Sequence, residues 1–224
     1  MTKSILLLLI IKFYSCKDNT TAHLVNNVTA IGSKDSQLLD YNAFKDSVVV
    51  KKKLLTDHPT KEISDYFFNL INTDIYNHWK GTEWAFYGMT RRPNEGTIAC
   101  GYFVTTTLCD VGLKIDRVRL AQCTSGEMIK ELCVDIHTFK DFKKFKSFLT
   151  NQPIKSVFIV GLDYHTGYII KDTSKLYFLH SNYIRNQGVV KEEIDSSAAL
   201  INNKFFMIGS LTANEALLQK WISY

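Results

Sequence analysis

The chain is short of proline, with three in 224 residues, and it carries no low-complexity tract and no internal repeat. Long disorder is therefore not expected. It also lacks Cys-x-x-Cys and His-x-x-x-His pairs, the spacings by which proteins hold zinc, so neither a metal nor any other cofactor is called for. A basic stripe is missing too. The net charge is +5, but Lys51-Lys52-Lys53 and Lys140-Asp141-Phe142-Lys143-Lys144 are short and read as solvated faces. Nucleic acid is not an expected partner. The N-terminal apolar run, Ile5 to Ile11, is too short to cross a bilayer.

What the chain does have is 46% hydrophobic and 12% aromatic residues, enough for one globular domain with a sizeable core. Lys3, the apolar run and then Lys12-Phe13-Tyr14-Ser15-Cys16 match a short export signal. A cysteine directly after small Ser15 resembles a bacterial lipoprotein signal over residues 1–16. There the chain is cut before Cys16, and the new terminal cysteine is acylated and anchored to a membrane surface in the cell envelope. An ordinary secretory signal or an uncleaved anchor is the alternative. With Cys16 lipidated and Cys100 free, Cys109, Cys123 and Cys133 remain. They form at most one pair and match no disulfide framework.

Residues 17–59 read as a polar tether and a weakly patterned lead, with a short strand at Val48-Val49-Val50. From 60 onward the pattern is that of a folded domain. Ile63, Phe67, Leu70, Ile71, Ile75 and Trp79 mark an amphipathic helix from Thr60. Gly81 to Ala99 has no period and reads as a long loop carrying Trp84, Phe86 and Tyr87. Helices are expected from Cys100, from a capping box at Thr124 to Glu127, from Thr138 and from a second capping box at Thr212 to Glu215. Leu113 to Gln122 reads as partly extended. Strands are expected at 157–162, 164–171, 176–181, 189–194 and 204–211. Helices first and an antiparallel sheet afterwards make the fold class α+β, with about five strands.

Cys100 opens its helix. Phe103, Val104, Leu108 and Val111 fall on one stripe behind it, and Gly112 stands where a helix stops. A helix tip carries unpaired N–H groups and partial positive charge, which would stabilise a thiolate there and raise its nucleophilicity. The plain alternative is a small residue on an apolar stripe. A thiol nucleophile needs a base, and the base needs an orienting group. Of the six histidines, His165 and His180 share one predicted hairpin. A two-residue turn sets them opposite each other. A four-residue loop, Asp172 to Lys175, sets His165 opposite Asn182 with His180 diagonal on the same face. A three-residue loop would put Ser181 there instead.

Gly81-Thr82-Glu83-Trp84-Ala85-Phe86-Tyr87-Gly88, then Pro93, Gly96, Cys100, Val104, Leu108 and Gly112, resembles the first half of the NlpC-type cell-wall peptidases. The His165 and His180 strands resemble the second half. Ala99-Cys100-Gly101-Tyr102 stands where that family has Asp-Cys-Ser-Gly. The resemblance implies a papain-like fold, with the nucleophile helix packed on an antiparallel sheet. It implies Cys100 as nucleophile, His165 as base and His180 as its orienter, with Trp84 or Tyr87 at the substrate cleft. The activity implied is a cysteine amidase or peptidase acting on peptidoglycan peptides. The rival expectation is a non-catalytic envelope lipoprotein that binds a wall component or partner through the aromatic loop.

Overall fold

The computed structural model describes residues 40–173 and 175–224, without the side chain of Arg185. The expected export signal, Cys16 and the lead up to residue 39 lie outside the described residues. The described part belongs to one compact α+β unit. Its centre is an open six-stranded sheet, antiparallel throughout, in the order β1-β6-β2-β3-β4-β5. The strands are β1 (Val134–Phe139), β2 (Ser156–Gly161), β3 (Thr166–Lys171), β4 (Leu176–Asn182), β5 (Gly188–Glu193) and β6 (Phe206–Ser210). The count is one more than the sequence suggested. The addition is β1, a mostly exposed edge strand whose alternation is confined to the four residues Val134-Asp135-Ile136-His137.

Helix α1 covers 40–55, where a weak lead and a Val48–Val50 strand were expected. Tyr41, Val48 and Leu55 lie on its buried side. Helix α2 (Thr60–Asn69) continues through a π-helical turn (Leu70–Ile75) into α3 (Tyr76–Trp79), so the predicted amphipathic run is helical throughout. Then come α4 (Cys100–Asp110), α5 (Arg117–Gln122) and α6 (Ser125–Leu132). The α5 segment corrects the extended reading of 113–122. The Thr124–Glu127 capping box is present. Helix α7 (Phe142–Thr150) starts four residues later than the Thr138 reading, because β1 takes 134–139 first. Short α8 (Ala198–Ile201) and then α9 (Glu215–Ile222) complete the order. The α9 cap is Asn214; Thr212 instead uses its hydroxyl to accept the β2 backbone N–H of Val157.

Strand alternation divides the core in two. Ile159, Tyr168, Ile170 and Leu179 pack with Phe103, Val104 and Leu108 of α4. Phe158, Val160, Ile169, Phe178 and Phe206 face Phe145 and Leu149 of α7. Helix α4 has three consecutive threonines, each costing about 0.5 kcal/mol in helix propensity. Tertiary packing outweighs that: Phe103, Val104 and Leu108 are fully buried, each contributing about 1.5–3 kcal/mol. Two of the threonine hydroxyls are satisfied inside the helix, Thr105 donating to Gly101 O and Thr107 to Phe103 O, and Thr106 accepts from Arg117 Nε. The Tyr168 hydroxyl donates to Val104 O (2.9 Å), fixing α4 on β3.

Candidate functional site

Cys100 is the first residue of α4, behind extended Ala99. No side chain caps this end, and the first helical bond runs from Phe103 N to Ala99 O. The N–H groups of Cys100, Gly101 and Tyr102 are therefore left without intrahelical partners, a cradle for developing negative charge. Three contacts hold the tip in place. Ser181 of β4 donates to Ile98 O (2.7 Å), two residues before the thiol. Ala99 N bonds Gly88 O in the aromatic loop (2.8 Å). Gly101 lets α4 approach α5: a Cβ there would stand 2.6 Å from Ala121 O.

The β3–β4 ladder runs only from Lys171↔Leu176 to Tyr168↔Leu179. Its register is that of the four-residue loop, with Asp172 N bonding Lys175 O. Beyond Tyr168 the two strands part, and β4 pairs with β5 alone, His180 lying opposite Val190. His165 stands at this opening, one residue before β3. Its Nε2 lies 2.7 Å from His180 Nδ1, the diagonal partner, not Asn182. Asn182 is engaged elsewhere, with Gln187 and Ile184 N. Gly167 makes the pairing possible, since a Cβ there would come within 2.7 Å of His180 Cβ.

The relay continues one residue further than the sequence reading reached. His180 Nε2 lies 3.1 Å from Glu192 Oε1 on β5. Burial alone would raise the Glu192 carboxyl, but hydrogen bonding from His180 and buried Ser197, with the nearby His180 charge, holds it below the usual range. Ser197 Oγ meets no partner at full hydrogen-bond geometry. Ionised Glu192 accepts from His180 Nε2–H. His180 Nδ1 is then the acceptor for His165 Nε2–H, and His165 Nδ1 is left with its lone pair free. The hydrogen-bond network thus assigns both tautomers, and the carboxylate decides them.

Burial pushes the His165 imidazole well below its ordinary value, and neighbouring His180 adds to the effect. Burial also lowers His180, against the opposing pull of Glu192. Burial raises the Cys100 thiol, while backbone N–H groups of Thr166, Gly101 and Cys100 itself pull the other way. Burial therefore opposes the thiolate that the N–H groups of the helix tip favour, and the net direction is upward. Among the described residues no hydrogen bond joins Cys100 Sγ to His165. They are brought together by bordering the same two recesses and by Thr166, the neighbour of His165, whose N–H reaches the sulfur.

The larger recess, about 670 Å³, is lined by Trp84, Phe86, Tyr87, Met89, Tyr164 and Tyr183 around Cys100, Gly101 and His165. Trp84 and Tyr87, both expected at a cleft, lie there. Buried Arg117 supports the loop by donating to Met89 O and Thr90 O, with its guanidinium over the Tyr102 ring. Cys109, Cys123 and Cys133 are free thiols. Among the described residues no group of three or more His, Cys, Asp or Glu side chains is arranged to hold a metal ion, and no helix is long and apolar enough to cross a membrane.

The depressed imidazoles make stability depend on pH. Unfolded histidine takes a proton at about pH 6.5, the buried pair only below that. The stability is therefore present above about pH 6.5 and is lost as pH falls toward the folded values. The melting temperature should drop between pH 7.5 and 5, and the drop should be smaller in His180→Gln. Equal pH slopes in the two proteins, measured by calorimetry, would contradict the assignment.

No protein-family model, no curated protein and no solved structure matches the chain.

Proposed function

We propose that the protein is a cysteine hydrolase of papain-like architecture that cleaves an acyl bond, foremost an amide, through Cys100, His165 and His180. The observation that carries this reading is the chain of contacts from Glu192 through His180 to His165, ending at a recess shared with an uncapped helix-tip thiol. Such a chain prepares one imidazole nitrogen as a base.

On this reading His165 Nδ1 takes the Cys100 proton as sulfur bonds to the acyl carbon. The carbonyl oxygen becomes an oxyanion held by helix-tip N–H groups. Collapse breaks the C–N bond, and His165 gives its proton to the leaving amine. Water then attacks the thioester with the same base, releasing the acid and restoring the thiol. Burial disfavours a free thiolate, so this reading couples deprotonation of the sulfur to its attack.

The family resemblance names peptidoglycan peptides as substrate, and the N-terminal pattern names a lipid-anchored place in the cell envelope through Cys16. A binding module working through the aromatic loop is the second reading, favoured by the exposure of Phe86 and Tyr87. The test compares the wild-type chain with Cys100→Ala on wall fragments and simple amides. Hydrolysis by the first and not the second supports the enzyme. Equal hydrolysis, or saturable binding without any turnover, overturns it.

A further inference from the structure

Cys100 and His165 border two recesses, one strongly apolar and the other of mixed lining. The larger, about 670 Å³, lies within the roughly 300–1,000 Å³ range of small-molecule sites. Among the described residues that line it, none carries a formal charge. Its rim is unusually wet for apolar side chains: Phe86 is 72% exposed, Tyr87 84%, Met89 57% and Tyr164 97%. Scattered exposed aromatics need no explanation, but a contiguous set bordering a nucleophile does. The smaller recess, about 240 Å³, has Thr124, Ser125, Asp163 and Thr166 beside apolar Met128 and Leu162, and it carries the one formally charged residue among the described residues of the two linings, Asp163.

A wall stem peptide, dense in carboxylates and amines, would find no counter-charge in the larger recess. An extended hydrocarbon group would cover its exposed rings and need none. Resting on the hydrolase reading, we infer that the substrate is amphiphilic: an amide or ester joining an extended apolar chain, held in the aromatic recess, to a compact polar group over the Thr124–Asp163 side. The bond between the two parts then lies at Cys100. The chemistry is that of the hydrolase, with water as co-reactant and a free acid and an amine or alcohol as products.

The test uses two substrate series, acyl glycinamides from acetyl to dodecanoyl and N-alkyl acetamides of matching length. The kcat/KM should rise about three- to fourfold per methylene in one series, as expected from about 0.8 kcal/mol per buried CH₂, until the recess is filled. Phe86→Ala and Tyr87→Ala should flatten that rise. Cys100-dependent hydrolysis that is flat with length in both series overturns the amphiphile and leaves the hydrolase standing. Cleavage of charged wall peptides in preference to both series does the same. If neither series nor any wall peptide is cleaved, the hydrolase reading fails, and titration of Cys100→Ala with dodecanoyl and acetyl glycinamide, followed by tryptophan fluorescence, decides the recess. Saturation by the long chain alone supports an apolar site, and equal or absent binding overturns it.

Discussion

The Cys100→Ala protein is expected to lose at least about 10⁴-fold in kcat/KM while keeping its fold, because no other group at the site can form the thioester. Alanine suits the first turn of α4 better than cysteine does, and it removes no side-chain hydrogen bond to another described side chain. Far-ultraviolet dichroism and melting temperature should therefore stay close to wild type. His165→Ala should fall nearly as far, and the double variant should be no worse than Cys100→Ala alone, since base and nucleophile act as one unit. Additive losses would mean that the two residues work independently, and the proposed proton transfer would be wrong.

Glu192→Gln carries the second large effect. A glutamine can donate or accept, so the fixed tautomers of His180 and His165 are no longer enforced, and the anion that favours an imidazolium is gone. The expected loss is about 10- to 100-fold in kcat, the scale for a partner that orients a reacting ligand from behind. The acid limb of the pH–rate profile should also move to lower pH, because a protonated imidazole is less stable without the carboxylate. Glu192→Asp should recover part of the rate. A Gln variant with wild-type rate and an unmoved acid limb would reduce Glu192 to a surface ion-pair partner.

Local pattern made much of the scaffold readable. The Thr124 capping box, the apolar stripe behind Cys100 and the continuous run at Val157 each depend on neighbours a few residues apart, and each appears as expected. The hairpin register also followed from local arithmetic once a four-residue loop was allowed. What escaped needed contacts distant in sequence. Strand β1 exists because Phe139 and Val134 pair with β6 more than sixty residues later, and nothing in Val-Asp-Ile-His-Thr-Phe announces that. Glu192 was hidden for the same reason: its partnership with His180 needs the β4–β5 register. The one available signal was an acidic residue two positions after Val190, on the expected strand beside the histidine. The burial of Cys100, which works against the helix-tip N–H groups, was hidden too, because a helix tip is visible in sequence and its desolvation is not.

The central claim is that Cys100 becomes acylated by a proton transfer that His165 performs. The direct measurement is intact-mass and peptide-mass analysis of the protein quenched during reaction with an activated ester such as p-nitrophenyl acetate. The account predicts one acyl group on the peptide bearing Cys100, formed much more slowly in His165→Ala. Acylation of Cys109, Cys123 or Cys133 instead, or the same rate on Cys100 without His165, would contradict it.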